Sequence, residues 1–352
     1  MRVLFLRHDR VGDMIVSTGI MRGIARSHDT IALDVLASPS NAVILDGADY
    51  VRDVVVFDKR RLASYLPTAL RLRRARYDAV IDCMVTAPSV TTLLLILASG
   101  ARYRIGISGR GNDAAFNVSV PGQMERDVHM VDRLAALARA FDVELSDSAR
   151  EPVLSTSAAE RERAERQWQG PSGAPRVLIN VSAGTSERQW PDDCYGAVIR
   201  HIRDRRSRAI VRVIASPGDG ERADAIARAG GGSFVPTPHL RDAIALVATA
   251  DFVFTPDTSI AHAASALKRP AVAIYARGKK SDWALYGTRG RSIEHTEPDL
   301  KSLPMEPVLE AVDQVLAEIP ATGEGLPGTG DGLPGTGDGR RATGDGRVTT
   351  DL

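Results

Sequence analysis

Short apolar runs alternate with longer stretches of helical spacing along most of this chain. Val3–Leu6, Ile31–Leu36, Val54–Phe57 and Ala79–Ile81 are nearly continuous runs rich in Val, Ile and Leu. Runs of that length without polar alternation predict parallel strands covered on both faces. Met14–Arg26 and Ser64–Arg76 between them predict helices. The second half repeats the pattern. Strands are predicted at Val177–Val181, Ile210–Ala215, Phe234–Val235, Phe252–Thr255 and Ala271–Tyr275, and helices at Cys194–Arg205, Glu221–Ala229, Leu240–Ala250 and Ile260–Leu267. Pro307–Ile319 reads as one last packed helix. The expected fold class is α/β, with two doubly wound domains in tandem over residues 1–150 and 176–319. Residues 151–175 are polar, with a charged helix-like stretch and breaks at Pro152, Gly170, Pro171 and Pro175, and read as a linker. Such a pair leaves a cleft between the carboxyl edges of its sheets, the usual ligand site of open α/β folds. Residues 320–352 hold ten of the 31 glycines and the repeat LPGTGDG twice. They cannot bury enough apolar surface to offset ordering and read as a disordered tail.

Composition narrows the function. Lys plus Arg is 45 and Asp plus Glu is 44, a net charge of +1. That balance argues against nucleic acid and against more than peripheral membrane contact; any charge-driven binding is local. Two cysteines among 352 residues exclude a disulfide framework and a Cys-based zinc site. No run approaches about 18 apolar residues, so no membrane-spanning helix is expected. The opening MRVLFLRHDR has no long apolar region or cleavage site, and reads as the first buried strand of a cytoplasmic protein. The clusters Arg71, Arg73, Arg74, Arg76 and Arg203, Arg205, Arg206, Arg208 read as solvated helix faces. No His, Asp or Glu set has metal-ligand spacing, and no D-x-D element appears where a sugar-nucleotide enzyme would hold a divalent ion.

Four loops carry the candidate chemistry, each following a predicted strand. The first, Arg7-His8-Asp9-Arg10-Val11-Gly12-Asp13, lacks the G-x-G-x-x-G dinucleotide fingerprint. Gly12 permits close backbone approach. Asp13 is either a carboxylate favoured by the helix dipole or a general base aimed into the cleft. The second loop, from Asn180 to Pro191, offers Ser182, Thr185, Ser186 and Arg188, either as an anion cradle or as a polar loop before a helix. The third, Thr255 to His262, opens a helix at which Asp257, Thr258 and Ser259 are caps or phosphate ligands. His262 lies in its first turn. The fourth, Ser216 to Glu221, carries Asp219 and Glu221, which suit ribose hydroxyls or a simple turn.

In this order, the four loops resemble the bacterial lipopolysaccharide heptosyltransferases, glycosyltransferase family 9, with the GT-B fold. The resemblance runs from Arg2 to about Ile319. It is carried by RHDRVGDMIVSTGIMRGI, NVSAGTSERQWPDDCYGAVI and ADFVFTPDTSIAHAASALKRPAVAIY, with support from YDAVIDCMVTAP, ARYRIGI and HMVDRLAALA. It implies a metal-independent, inverting transfer of a heptose or related sugar from an ADP-sugar to an acceptor hydroxyl or amine, with no bound cofactor. Asp13 falls on the general base. Arg188 falls where a Lys usually faces the donor phosphates. Ser182, Thr185 and Ser186 fall in the hydroxyl-bearing phosphate segment, Asp257, Thr258 and Ser259 on the phosphate loop, and His262 on the downstream His. Asp219 or Glu221 falls on the ribose acid, and Arg7, Arg10 and Gly12 lie in the loop near the acceptor.

The departures are Ser259 for Gly, Arg188 for Lys, Gly19 for Pro and Met84 for a polar residue. The implied acceptor is a small-molecule or lipid-linked saccharide, and an anionic one would suit the arginines at 71–76. Two rival readings are a GT-B transferase or epimerase using a UDP-sugar and a catalytically silent GT-B binding protein. The missing glycine fingerprint disfavours a nicotinamide oxidoreductase.

Overall fold

The computed structural model describes residues 1–83, 89–108, 115–122 and 128–319. The first sheet contains β1 (Arg2–Arg7), β2 (Ala32–Ala37), β3 (Asp53–Val56), β4 (Ala79–Asp82), β5 (Tyr103–Ile107) and β6 (Val118–Val120). All pairings are parallel, in the order β3-β2-β1-β4-β5-β6. Around it lie α1 (Val11–Ser27), α2 (Tyr65–Ala75), α3 (Val90–Ser99), α4 (Met130–Ala135) and the short α5 (Asp147–Arg150). Then comes α6 (Ala158–Glu165).

The second sheet contains β7 (Arg176–Asn180), β8 (Ile210–Ile214), β9 (Ser233–Phe234), β10 (Phe252–Pro256), β11 (Ala271–Tyr275) and β12 (Gly290–Glu294). It is also parallel, in the order β12-β11-β10-β7-β8-β9. Its helices are α7 (Asp192–Arg205), α8 (Gly220–Gly230), α9 (Leu240–Thr249), α10 (Ser259–Ala266), the short α11 (Lys280–Trp283) and α12 (Met305–Ala317). Counted from its own first strand, each sheet has the same topology. The chain reverses direction across the sheet beside β1 and beside β7, so the loops after those strands open into a crevice.

The central strands are buried throughout, as their unbroken apolar runs require: Val3–Leu6, Val177–Ile179 and Phe252–Phe254 have essentially no exposed surface. Every strand and helix expected from sequence is present within a few residues. Three further strands, β5, β6 and β12, were not among those expected. Their segments, YRIGI, VSV and GRSIE, are short or mix charge and Gly with apolar residues. β6 and β12 are edge strands, where one flank needs no apolar cover.

The stretch 151–175, read as a linker, is built into the molecule. Ser157 and Glu160 form a capping box at the start of α6. Arg241 of α9 forks onto both oxygens of Glu160, each at 2.7 Å. Trp168 is buried and donates its indole N–H to Thr249. The glycine-rich segment read as a disordered tail, residues 320–352, lies outside the described residues, as does Met84.

The two domains meet through α1 and α10, which pack on each other. Arg133 pairs with Asp282 at 2.8 Å, Tyr286 donates to Asp132 at 2.6 Å, and Lys268 reaches Glu151 at 2.6 Å. Gly19, on the buried face of α1, faces the chain at residues 150–151. A Cβ there would lie 2.2 Å from the Glu151 carbonyl oxygen, so this crossing tolerates no side chain. Among the described residues no helix is long and apolar enough to cross a membrane.

Candidate active site

Arg7 ends β1, and its guanidinium is buried. Nε donates to the Asp13 carbonyl at 2.9 Å and Nη1 to the Cys83 carbonyl at 3.0 Å. The same group lies 3.2 Å from the Asp9 carboxylate and 3.6 Å from that of Asp13. Burial works against its charge, but Cys83, Asp9 and Asp13 more than offset this and hold its pKa above the ordinary value. Asp9 is pushed up by burial, with Arg7 opposing. Asp13 itself sits in the first turn of α1 with part of its carboxylate open to the cavity. One buried cation thus fixes both the backbone and the side chain of Asp13.

The opposite wall grows from the ends of β7 and β10. Asn180 is buried and donates to Thr255 at 2.9 Å and Thr258 at 3.1 Å, tying the two strand ends together. Thr258 caps α10 by accepting from the Ile260 N–H. Thr258, Ser259 and Ile260 line the cavity, so the start of this helix, with its positive dipole end, borders it. Arg188, in a single 3-10 turn (Ser186–Arg188), lies 3.2 Å from the Asp257 carboxylate and donates to the Asp257 carbonyl at 3.3 Å. Burial pushes Asp257 up, while Arg188, Lys279 and Arg10 pull it down. Those three cations come from three separate loops and both domains.

The two walls meet closely where α1 starts. A Cβ on Gly12 would lie 2.8 Å from Cδ2 of His262, so only glycine permits this approach. His262 is buried, edge-on to Trp283, and its pKa is lowered to about 3 by burial, with His129 and Arg188 adding to the effect. It is a neutral imidazole at physiological pH. His8 is also buried, bonds Thr92 at 3.1 Å and has its pKa lowered to about 4 by burial, with Lys59 contributing.

Together these elements enclose a cavity of about 890 Å³. Arg7, Arg10, Gly12 and Asp13 line it from the first domain. Ser182, Thr185, Arg188, Asp257, Thr258, Ser259 and His262 line it from the second. Ser186, Asp219 and Glu221 are not on its wall. Ser186 and Glu221 are exposed. Asp219 accepts a 2.7 Å bond from the Ser182 hydroxyl, which itself accepts from the Ser216 N–H, so the pair shapes the β8 loop. Ser182 is therefore spent largely on scaffolding.

Sequence reading missed Lys279, Asp282 and Trp283, which also line the cavity. Lys279 follows β11 in Arg-Gly-Lys-Lys, a basic loop at the carboxyl edge of a strand; that position was the available signal. Asp9 and Arg133 are likewise on the wall, and Arg133 arrives through a contact between domains that spacing does not encode. Among the described residues no group of three His, Cys, Asp or Glu side chains is placed to hold a metal ion.

Two parallel six-stranded sheets of one topology, facing across a cleft lined by acids and cations from both domains, define the GT-B fold. The family model described as glycosyltransferase family 9 (heptosyltransferase) matches residues 68–312, and the chain belongs to that family. It is 24% identical over 301 residues to lipopolysaccharide heptosyltransferase 2 of Escherichia coli (strain K12), covering 78% of this chain and 82% of the relative. Its fold matches a glycosyl transferase family 9 structure from Veillonella parvula, with TM-score 0.78, 14% identity and coverage of 90% and 97% of the two chains. It also matches E. coli heptosyltransferase WaaC with ADP, with TM-score 0.71, 18% identity and coverage of 90% and 100%.

Proposed function

We propose that this glycosyltransferase moves a heptose from ADP-heptose to a saccharide hydroxyl, inverting the anomeric centre without a metal ion. The observation that carries this reading is the shared cavity, with Asp13 on one wall and Arg188, Lys279 and the start of α10 on the other. The Asp13 carboxylate removes the acceptor's O–H proton as its oxygen attacks the anomeric carbon. The bond from that carbon to the diphosphate oxygen breaks on the far face. The electron pair leaves with ADP, whose growing charge is met by Arg188, Lys279 and the N–H group of Ser259 at the start of α10. Asp13 also favours the positive charge that develops on the sugar.

The nucleoside has a suitable slot beyond these groups. Ile214, Ala215, Pro217, Thr237 and Pro238 form a largely apolar wall at the ends of β8 and β9. ADP as the donor nucleotide is supported by the WaaC likeness, and a lipopolysaccharide acceptor by the curated relative's name.

The test is transfer from ADP-heptose, followed by mass spectrometry of the acceptor, with ADP and UDP titrated by calorimetry. ADP is expected to bind more tightly than UDP. Asp13→Asn should retain ADP binding and lose about two to four orders of magnitude in turnover. Full turnover by that variant would remove Asp13 from the base role. Transfer from a UDP-sugar instead would replace the donor assignment.

A further inference from the structure

The solvent face of the first domain carries a feature that transfer does not use. α3 has the sequence VTTLLLILAS and is apolar on every side. Thr92, Leu95, Ile96 and Ser99 face inward. Val90, Leu93, Leu94 and Leu97 form a stripe on the opposite face, with Val90 74% and Leu97 56% exposed. A helix apolar all round is ordinarily covered on all sides. α2, packed beside it, repeats the arrangement. Thr68 and Leu72 are buried, whereas Leu66 and Leu70, with Leu62 just before the helix, line the outer face at four-residue spacing. Leu62 is 86% exposed. Tyr65 bridges the two parts by donating to the Lys59 carbonyl and approaching the Thr91 hydroxyl.

The charge around this patch is predominantly positive. Residues 59–76 contain seven Lys or Arg and no Asp or Glu. Arg71 is paired with Asp53 and Arg61 with Asp58, but the exposed Arg60, Arg73, Arg74 and Arg76 leave the apolar strip with an excess of positive charge. The chain as a whole is balanced at +1, so this concentration is local. A second copy of the same face would bring one cationic rim against another. An apolar strip edged by arginines instead matches the acyl boundary and phosphate layer of an anionic bilayer.

We propose that the outer face of α2 and α3 docks the protein on anionic phospholipid membranes, with Leu62, Leu66, Leu94 and Leu97 in the headgroup boundary and the arginines on lipid phosphates. Both helices follow strands whose carboxyl ends face the cleft, and His8, one residue before Asp9, bonds Thr92 of α3. Docking there holds the acceptor side of the cavity beside the bilayer. The inference does not depend on the donor or base assignments.

The experiment is cosedimentation of the full chain with phosphatidylcholine vesicles, with and without phosphatidylglycerol, at two salt concentrations. Binding is expected only with phosphatidylglycerol and is expected to weaken as salt rises. Leu66→Ser/Leu94→Ser and Arg60→Glu/Arg74→Glu should each reduce vesicle affinity about tenfold or more, with ADP binding unchanged as the readout of folding. Absence of vesicle binding by a wild-type chain that still binds ADP would overturn the proposal. So would equal binding by both variants, or a concentration-dependent dimer that Leu66→Ser/Leu94→Ser dissolves in place of vesicle binding. None of these results bears on transfer from ADP-heptose.

Discussion

Arg188 lies 3.2 Å from the buried Asp257 carboxylate, so replacing it leaves only Lys279 and Arg10 to offset that acid. Arg188→Ala is expected to lower kcat/KM by about two to three orders of magnitude, as removal of one preorganised donor typically does, and to weaken ADP binding in calorimetry. Unchanged donor affinity would place the diphosphate elsewhere. The buried histidines make a separate statement about stability. His8 and His262 have pKa values lowered to about 4 and about 3, against an ordinary 6.5. The native state refuses protons that the unfolded chain accepts. Stability is therefore complete above pH 6.5 and falls as pH drops below it, by up to about 1.4 kcal/mol per pH unit for each histidine. Urea unfolding across that range should show this slope, and His262→Gln should remove one histidine's share of it. A slope that His262→Gln leaves unaltered would mean that His262 is protonated in the native state.

At the scale of elements, the contact between the first turn of α1 and α10 constrains the cleft. Gly12→Ala places a methyl 2.8 Å from the His262 ring, which is buried and packed against Trp283. Overpacking of this kind costs about 1–3 kcal/mol. The expected result is a lowered melting temperature for Gly12→Ala and a much smaller change when the same substitution is made in His262→Ala. Additive effects in that double-mutant cycle would show that the two residues do not meet. The same scale shows where sequence patterning reached and where it stopped. Central strands were legible because burial on both faces demands unbroken apolar runs. β6 and β12 were not, because an edge strand is held by backbone pairing on one side and accepts Ser, Arg and Glu.

At the scale of the whole molecule, the candidate site belongs to neither domain alone. Its cations, Arg10, Arg188 and Lys279, converge on Asp257 only when the two sheets face each other. In the proposed mechanism, a diphosphate met by three side chains and a helix start would need no divalent ion. Transfer activity is therefore expected to survive exhaustive EDTA treatment with no loss of rate. Abolition by EDTA and recovery with added magnesium would overturn the metal-free mechanism. Residues 151–175 matter here as well. With α6 clamped by Arg241 and Trp168 buried, this segment holds the second domain's flank in place.

Local pattern was enough to establish two doubly wound domains, the four loops that reach the cavity and Asp13 at the start of the first long helix. Strand burial and helix periodicity are properties of neighbouring residues, so they survive in a linear reading. Folding in three dimensions settled the rest. It buried Arg7 between Asp9 and Asp13, brought Lys279, Trp283 and Arg133 to the cavity, and left Ser186, Asp219 and Glu221 off its wall. Those outcomes depend on how two separate sheets turn toward each other, and the groups that meet there are far apart along the chain, where spacing carries no record of distance.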